Sequence, residues 1–336
     1  MKTAVVGASG YAGSELLRVI ASHPDLDLVL ATGDSAAGRR IGEHAPALAG
    51  LYPTEVLGTA DDLASSDAEV VFLALPHGAS QALVPELLQR GVQVVDLGAD
   101  YRLSSPEEYQ TWYGHAHSTP ALLGSAVYGL VERHRSELAG ATFLAIPGCY
   151  PTATSLALGP FFDHGAVAGP VVVNALSGVS GAGRSPSERL HFPRLASNAE
   201  AYGLTSHRHT VEMQAELGVD VLFTPHLVPV SRGMLVTAYA RVTGTLTTET
   251  ALELLASTYA NDPCVVVTNE PPALKDPVGS NICFVSARVD ERTGWLVAMS
   301  SIDNLVKGAA GQAVQAWNVA NRRPETLGLP MAGVTP

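Results

Sequence analysis

Cysteine is scarce in this chain of 336 residues, which contains three: Cys149, Cys264 and Cys283. They lie far apart and form no CxxC pair, so the pattern excludes a disulfide framework and a cysteine-rich zinc site. Such sparse thiols are typical of a reducing compartment. Cys264 and Cys283 lie in apolar stretches, where we expect packing residues.

Charged residues are also few, and positive charge is the scarcer kind. Asp, Glu, Lys and Arg make up 15% of the chain, and 20 Lys and Arg stand against 32 Asp and Glu, which gives a net charge of −12. This balance argues against a nucleic-acid partner. A small anionic substrate would need a local cationic pocket.

Long apolar runs are missing too. No uninterrupted stretch approaches the ~20 residues that a transmembrane helix needs, and the N-terminus lacks the layout of a signal peptide. Hydrophobic residues nevertheless make up 46% of the chain, and the length allows two domains with sizeable cores. We therefore expect a globular, cytoplasmic protein without a membrane partner.

What the sequence does contain begins with a strand, a glycine turn and a helix. Residues 3–6 are apolar, glycines follow at 7, 10 and 13, and residues 14–20 are apolar at helical spacing. Glycines at this spacing let the backbone approach a pyrophosphate, which then lies at the helix N-terminus. The turn therefore predicts dinucleotide binding. The predicted cofactor contacts in it are Gly7, Ser9, Gly10, Tyr11, Ala12 and Gly13.

The kind of dinucleotide depends on the loop after the second predicted strand, residues 26–31. Asp34 is placed to bind a ribose 2′-hydroxyl, which favours NAD, whereas Ser35, Arg39 and Arg40 are placed to bind a 2′-phosphate, which favours NADP. Two arginines after a small polar loop favour NADP(H). The alternative for the arginines is a solvated surface pair.

Further strand–loop–helix units predict a parallel, doubly wound sheet. Strands are expected at residues 69–75 and 92–97, and ligands of such sheets bind beyond the carboxyl ends of the strands. Pro76, a predicted cofactor contact, and His77 follow the first of these strands. Arg102 follows the second and would place a fixed cation beside the crevice. For His77, capping of the backbone explains the residue as well as a role in ligand binding does.

Cys149 is the candidate nucleophile. It follows the apolar stretch 141–146 and Pro147-Gly148, and the segment after it predicts a helix. A thiol at the mouth of a helix becomes a nucleophile because helix N-terminal N–H groups stabilise the thiolate. The alternative is a buried cysteine that acts as a small hydrophobe. The carboxyl end of a sheet strand, where a nicotinamide is expected, favours the nucleophile.

The pattern after Cys149 predicts a second domain with a largely antiparallel sheet. A strand at residues 171–176 opens into a small-residue loop that suits close approach to a flat ring or a phosphate, with Ser177, Gly178 and Gly181 as cofactor contacts. The C-terminal helix is rich in small residues and is expected to return to the first domain. The predicted cofactor domain comprises residues 1–148 with 304–336, and the catalytic domain comprises residues 149–303.

His207-Arg208-His209 offers a histidine to serve the thiol. No third or fourth ligand is spaced to complete a zinc site, so no metal is predicted. With a nucleophilic cysteine in the chain, a histidine is the general acid–base. Alternate residues of an extended segment point in opposite directions, so one of the two is expected to reach the sulfur. The pattern alone does not separate His207 from His209.

Five stretches together are similar to a known family over nearly the whole chain. They are residues 7–13 (GASGYAG), 96–103 (DLGADYRL), 147–152 (PGCYPT), 207–210 (HRHT) and 303–309 (DNLVKGA). The chain resembles N-acetyl-gamma-glutamyl-phosphate reductase of arginine biosynthesis, in the aspartate-semialdehyde dehydrogenase-like superfamily. The resemblance implies an α/β fold with a Rossmann-type doubly wound parallel sheet, plus a second α+β domain.

The same resemblance implies an activity and site residues. NADPH would reduce the acyl phosphate to N-acetylglutamate 5-semialdehyde with release of phosphate, by way of a thioester on Cys149. His207 is the first choice for the acid–base group, and His209 is the close second. Asn304 would contact the cofactor, and the assembly would be a homodimer or homotetramer. The implied substrate contacts are Arg102, Asn198, Tyr202 and His209.

Two alternatives stay open. Within the same chemistry, the substrate would be aspartyl phosphate or a glutamyl phosphate linked to a carrier protein; the lack of a long basic run to receive an acidic carrier favours the small substrate. From a different class, a non-catalytic dinucleotide sensor would use the same fold. A sensor needs no activated thiol, so the reactivity of Cys149 separates the two.

Overall fold

The computed structural model describes residues 1–334, apart from the side chain of Asp34. The chain divides into two compact units, residues 1–147 with 309–329, and residues 148–308 with the segment that starts at 330. The boundaries expected from the sequence, 1–148 with 304–336 and 149–303, stay a prediction. Residues 335 and 336, which end the predicted cofactor domain, lie outside the described part of the chain.

The first unit contains a six-stranded sheet in which every pairing is parallel, in the order β2-β1-β3-β4-β6-β5. This confirms the predicted doubly wound parallel sheet. Its strands are continuous apolar runs because both faces of such a sheet are covered. The strands are β1 (Lys2–Val6), β2 (Asp27–Thr32), β3 (Val70–Leu73), β4 (Gln93–Asp96), β5 (Val127–Tyr128) and β6 (Phe143–Ala145).

Helices of the first unit connect these strands. The helix after the glycine turn buries Leu16, Leu17, Val19 and Ile20 on one face, and each such side chain contributes roughly 1.5–3 kcal/mol by burial. The helices are α1 (Tyr11–Ile20), α2 (Ile41–His44), α3 (Asp62–Ser65), α4 (Val84–Gln89), α5 (Pro106–Tyr113), α6 (Val131–Leu138) and the C-terminal α11 (Gly311–Ala320). Trp317 of α11 donates its indole N–H to Gln93 Oε1 at 3.0 Å.

The polar and aromatic stretch 104–117 contains α5. Ser105 caps this helix by accepting the Glu108 N–H at 3.2 Å, and Pro106 occupies the first turn. Ser-Pro-Glu-Glu is a helix-start signal. Tyr109 is the buried residue of this helix, so its side chain anchors a segment that is otherwise largely exposed.

The second unit contains a seven-stranded mixed sheet in the order β11-β12-β13-β10-β7-β9-β8. Most neighbours are antiparallel, as predicted, but β7 is parallel to β9 and β11 is parallel to β12. The residues between β7 and β9 include a helix, which gives the chain the length that a parallel crossover requires. The strands are β7 (Val167–Gly178), β8 (Glu200–Ala201), β9 (Val221–Val228), β10 (Met234–Val242), β11 (Val265–Val267), β12 (Cys283–Asp290) and β13 (Trp295–Ile302).

The longest helix of the second unit starts at the candidate nucleophile. It is α7 (Cys149–Asp163), and residues 150–161 are all buried. It packs against β10 and β13, and Ser300 of β13 donates its hydroxyl to the Ala153 carbonyl at 2.6 Å. The sheet therefore fixes the direction in which the helix N-terminus points. The other helices are α8 (Phe192–Leu195), α9 (His209–Leu217) and α10 (Thr248–Thr258), and a π-helical turn, Val306–Ala310, precedes α11.

Candidate active site

The glycine turn of the first unit has the backbone geometry of a pyrophosphate site. Gly7 has φ +85°, and an added Cβ would lie 2.4 Å from the Ala74 carbonyl oxygen. At Gly13 an added Cβ would lie 2.2 Å from the Gly7 carbonyl oxygen. No side chain caps the N-terminus of α1. The turn thus presents backbone N–H groups and a helix N-terminus, the arrangement that binds phosphate.

We expect Gly13→Ala to lower the free energy of unfolding by about 2–3 kcal/mol, because overpacking against rigid backbone has few means of relaxing. Dinucleotide affinity should fall with it. Gly10→Ala is the matched control for stability, since its added Cβ would lie 3.5 Å from the Gly7 carbonyl oxygen, an ordinary contact. Urea unfolding measures the stability of both variants, and fluorescence titration measures the dinucleotide affinity of Gly13→Ala. Equal losses of stability in the two variants would contradict this explanation of the turn.

The loop after β2 lies close to the glycine turn. An added Cβ at Gly33 would lie 2.8 Å from Ser9 Cβ, and His44 Nε2 lies 2.9 Å from the Ser9 carbonyl oxygen. Ser35 and Arg39 are exposed, and Arg39 donates to the Glu43 carbonyl at 3.3 Å. The side chain of Asp34, the predicted partner of a 2′-hydroxyl, lies outside the described part of the chain.

Arg102 lies in the turn that follows β4. It is half-buried and donates from Nη2 to the Leu97 carbonyl at 2.9 Å. Pro76, after β3, is exposed, and two residues later Gly78 donates its N–H to Asp100 Oδ1 at 2.8 Å. His77 contacts Tyr113 edge-on, with ring centroids 5.9 Å apart.

In the second unit, Cys149 is the first residue of α7 and is partly exposed. Gly148 is the N-cap and supplies no side chain, so no side-chain cap occupies the first-turn N–H groups of α7. Gly308 lies against Cys149, because an added Cβ there would lie 2.8 Å from Cys149 Cβ. Within residues 1–334 no disulfide joins the cysteines.

Helix α9 contacts the backbone directly before the nucleophile. An added Cβ at Gly148 would lie 2.5 Å from both Cε1 and Nε2 of His209. One helical turn later, the buried Glu212 accepts the Gly148 N–H through Oε1 at 2.8 Å. The absence of a side chain at Gly148 is what allows the His209 imidazole to reach this position.

His207 lies in an aromatic cluster beside His209. Its ring centroid is 4.8 Å from that of His209 and 5.4 Å from that of Tyr150, and its Nδ1 accepts the His209 backbone N–H at 3.1 Å. Burial, together with the positive charge of Arg208, lowers the pKa of His207 to about 4. His207 is therefore neutral at physiological pH.

Two tyrosines complete this cluster. The hydroxyls of Tyr150 and Tyr202 are 2.8 Å apart. Burial raises the pKa of Tyr202 to about 12, while the hydrogen bond with Tyr150 lowers it and the negative charge of a Cys149 thiolate raises it. Tyr202 is therefore a neutral phenol, and one of the two hydroxyls donates to the other. The predicted substrate contact Asn198 is exposed and donates its amide to the Arg194 carbonyl at 3.1 Å.

The small-residue loop and the start of the C-terminal segment form one hydrogen-bonded group. Asn304 donates from Nδ2 to Ser180 Oγ and accepts the Gly233 N–H, both at 2.9 Å. An added Cβ at Gly181 would lie 3.1 Å from Ser177 Oγ. At Gly178 it would lie 2.9 Å from the Arg232 backbone. Close backbone approach is thus the reason for Gly178, whereas Gly181 makes room for the Ser177 side chain.

Glu212 and Gly308 lie at the candidate site but were not predicted from the sequence. Glu212 is three residues after His209, which places both on one helical face, so the spacing was a usable signal. Gly308 was not predictable, because its contact with Cys149 joins residues far apart in the chain. Among the described residues no group of three or more potential metal ligands forms a cluster, and no helix is long and apolar enough to span a membrane.

Comparison with known families defines the class of protein. Residues 2–141 match the family described as semialdehyde dehydrogenase, NAD binding domain, and residues 149–304 match semialdehyde dehydrogenase, dimerisation domain. Aspartate semialdehyde dehydrogenase II from Vibrio cholerae superposes with a TM-score of 0.71 at 18% identity, covering 96% of this chain and 98% of that one. The fold and the domain matches define an NAD(P)-dependent oxidoreductase of the semialdehyde dehydrogenase class.

Relatives of higher identity narrow the class. N-acetyl-gamma-glutamyl-phosphate reductase from Dehalococcoides mccartyi strain CBDB1 is 43% identical over 342 residues, which cover 100% of this chain and 99% of the relative. The protein of that name from Brevibacillus brevis is 42% identical and covered completely on both sides. The chain belongs to the N-acetyl-gamma-glutamyl-phosphate reductase family.

Proposed function

We propose that the protein reduces N-acetyl-gamma-glutamyl phosphate to N-acetylglutamate 5-semialdehyde with NADPH and releases phosphate, as a step of arginine biosynthesis. One observation of the site carries the proposal. Cys149 begins a long buried helix, and the residue before it is held by Glu212 and packed against the His209 imidazole. An imidazole packed against the residue before a thiol at a helix N-terminus supports an activated nucleophile.

The proposed chemistry starts with attack of the Cys149 thiolate on the acyl phosphate carbonyl. The carbon–sulfur bond forms, the carbon–oxygen bond to phosphate breaks, and phosphate leaves with the electron pair. The resulting thioester has no phosphate charge beside the reacting carbonyl, so it accepts hydride more readily than the doubly anionic acyl phosphate does. Backbone N–H groups in the first turn of α7 are placed to stabilise the oxyanion that develops at each addition.

NADPH, when bound, supplies the hydride that converts the thioester to a hemithioacetal. A histidine gives its proton to the oxygen of the developing hemithioacetal and takes it back as the carbon–sulfur bond breaks, so that the semialdehyde leaves and the Cys149 thiolate is restored. The geometry favours His209 for this role, because its imidazole lies against Gly148, whereas the half-buried His207 packs against the rings of Tyr150 and Phe223. The assignment to His207, first choice from the sequence, remains the alternative.

Three observations support the proposed use of a dinucleotide with a 2′-phosphate. Ser35 and Arg39 are exposed in the loop beside the glycine turn, Gly33 brings this loop against Ser9, and an aspartate semialdehyde dehydrogenase of the same fold from Candida albicans was solved with NADP. The other proposed cofactor contacts are Gly7, Gly10, Gly13 and Pro76 in the first unit, and Ser177, Gly181 and Asn304 in the second.

We expect Arg39→Ala to weaken NADPH binding about tenfold or more and NADH binding hardly at all, because a charge-assisted contact to phosphate contributes ~1.5–3 kcal/mol. Arg292→Ala, an exposed arginine of the second unit, is the matched control. Titration of each variant with both dinucleotides measures the difference. Equal losses for NADPH and NADH would remove the assignment of a 2′-phosphate to Arg39.

The experiment that tests the function is a steady-state assay in the reverse direction. N-acetylglutamate 5-semialdehyde, phosphate and NADP should give phosphate-dependent NADPH formation, and NAD should give much less. Aspartate semialdehyde in its place tests the related acyl-phosphate reductase. No turnover with either, together with slow alkylation of Cys149, would indicate a non-catalytic dinucleotide sensor instead.

We also propose a cytoplasmic homodimer or homotetramer. Strands β7 and β9 present the large side chains Leu176 and Leu222 to solvent, on the side opposite to buried neighbours such as Val173 and Phe223. An apolar sheet face of this kind suits a second copy, and the matching family is described as a dimerisation domain. Analytical ultracentrifugation measures the assembly.

A further inference from the structure

Two buried carboxyl groups share one hydroxyl at the carboxyl end of β4. Ser80 Oγ lies 3.0 Å from Asp96 Oδ2 and 2.7 Å from Asp100 Oδ2. All three side chains are completely buried. A hydroxyl has one hydrogen, so it donates to one carboxyl at a time. The second contact is therefore satisfied best if that carboxyl carries its own proton and donates it to Ser80 Oγ.

The remaining contacts identify which carboxyl group is ionised and which is protonated. Asp100 Oδ1 accepts the Gly78 N–H at 2.8 Å and the Tyr109 hydroxyl at 2.9 Å. Burial raises the pKa of Asp100, but the hydrogen bonds from Ser80, Gly78 and Tyr109 outweigh burial and lower it below its ordinary value. Asp100 is thus the carboxylate, and it takes the shorter bond from Ser80.

Asp96 has the opposite environment. Its Oδ1 accepts the Gly98 N–H at 2.8 Å. Burial, and then the negative charge of Asp100, raise the pKa of Asp96 to about 7, against the lowering effects of Gly98, Ser80 and the Arg102 charge. The single hydrogen of the Ser80 hydroxyl and the burial of Asp96 both indicate that Asp96 carries a proton.

We propose that Asp96 is a neutral carboxylic acid in the folded protein and that this form positions the turn presenting Arg102 to the substrate. Asp96 holds the turn at Gly98, Asp100 lies within it, and Arg102 closes it through the Leu97 carbonyl. Asp96 is a positioning residue that acts through Arg102. The role of Arg102 rests on the function proposed above, whereas the protonation of Asp96 does not.

Loss of the proton from Asp96 to solvent would change this network in two ways. The single Ser80 hydrogen would have to serve two carboxylates, which repel each other in a buried site. The new charge would also attract the Arg102 guanidinium away from an anionic substrate. The titratable groups that face Asp96 are Asp100, Arg102 and Tyr101, and burial raises the pKa of the Tyr101 phenol to about 12, so Tyr101 stays neutral.

The test compares Asp96→Asn with Asp100→Asn. An amide at position 96 accepts from Gly98 and donates to Ser80 as the neutral acid does. In the wild type, the KM for the acyl phosphate should rise several-fold between about pH 6.5 and about pH 8.5, as Asp96 ionises, with kcat changed less. Asp96→Asn should keep a low KM over this whole range, and Asp100→Asn should raise KM at both ends. A wild-type KM that stays flat, or an Asp96→Asn variant as impaired as Asp100→Asn, overturns the positioning role.

A second readout needs no substrate. The folded-state pKa of Asp96 is raised above its unfolded value, so its stabilising contribution is complete below about pH 4 and is lost as the pH rises through about 7. The wild type should therefore lose stability relative to Asp96→Asn over this interval. The infrared spectrum of the wild type should show a protonated-carboxyl band at about pH 6 that disappears above about pH 8.

The kinetic and the substrate-free measurements distinguish failure of the proposed function from failure of the proposed protonation of Asp96. If no acyl phosphate is reduced, the proposed function fails while the infrared band and the stability curve still decide the protonation of Asp96. Absence of the band in the wild type overturns the proposal, even if Asp96→Asn does not fold.

Discussion

Cys149→Ser is expected to abolish reduction of the acyl phosphate and to leave NADPH binding nearly intact. A serine hydroxyl at the N-terminus of α7 does not ionise at neutral pH, so the helix N–H groups have no anion to stabilise. Loss of a nucleophile should lower kcat on the order of 10³-fold or more. The glycine turn proposed to bind the dinucleotide belongs to the first unit, and Cys149 belongs to the second, so cofactor affinity should be retained.

Cys283→Ser is the matched control for removal of a thiol. Cys283 is fully buried in β12, so its replacement should affect stability and not kcat. Single-turnover reduction and fluorescence titration with NADPH, run on both variants, measure the two quantities. Substantial turnover by Cys149→Ser would contradict the thioester scheme.

Replacing the histidines one at a time should give unequal losses. His209→Asn is expected to lower kcat about 10²-fold or more, the range for a positioned acid–base group, because the His209 imidazole lies against the residue before the nucleophile. His207→Asn should cost less, since His207 supports His209 by accepting its backbone N–H and by ring packing. Steady-state kinetics of both variants decide between them, and a larger loss in His207→Asn would return the role to His207.

The pH profile provides an independent check on the same pair. Since the folded-state pKa of His207 is lowered to about 4, a base at His207 would keep kcat/KM high down to about pH 4. The effect of His207 on stability has a defined direction, because His207 binds its proton less readily in the folded protein. Its contribution to the free energy of unfolding is present above about pH 6.5 and is lost as the pH falls through about 4. His207→Asn should remove that acid-side loss of stability.

Local sequence patterns predicted the parts of the fold that local interactions determine. The apolar run, the glycine triplet and the helical spacing at the N-terminus belong to consecutive residues, and β1, the turn and α1 follow them. The same holds for the strand before Cys149 and the helix that starts there. The helix runs to Asp163, and its residues 150–161 are buried all round instead of on one face.

Contacts between distant residues were not predictable in this way. The parallel pairing of β7 with β9 depends on a crossover, and strand composition does not encode its direction. Glu212 reaches the Gly148 N–H across 64 residues, and Ser80 joins two carboxyl groups from the turn after another strand. Sequence patterns indicate a candidate cation and a candidate nucleophile. The partners that determine the protonation states of such groups are defined only by tertiary packing.

The central claim is that Cys149 carries the acyl group between loss of phosphate and arrival of hydride. Intact-protein mass spectrometry after mixing the enzyme with N-acetyl-gamma-glutamyl phosphate, without NADPH, tests it most directly. The expected result is one added N-acetylglutamyl group, located on the peptide that contains Cys149, absent from Cys149→Ser and removed by NADPH as the semialdehyde appears. An unmodified Cys149 in an enzyme that turns over the same substrate with NADPH would contradict the account.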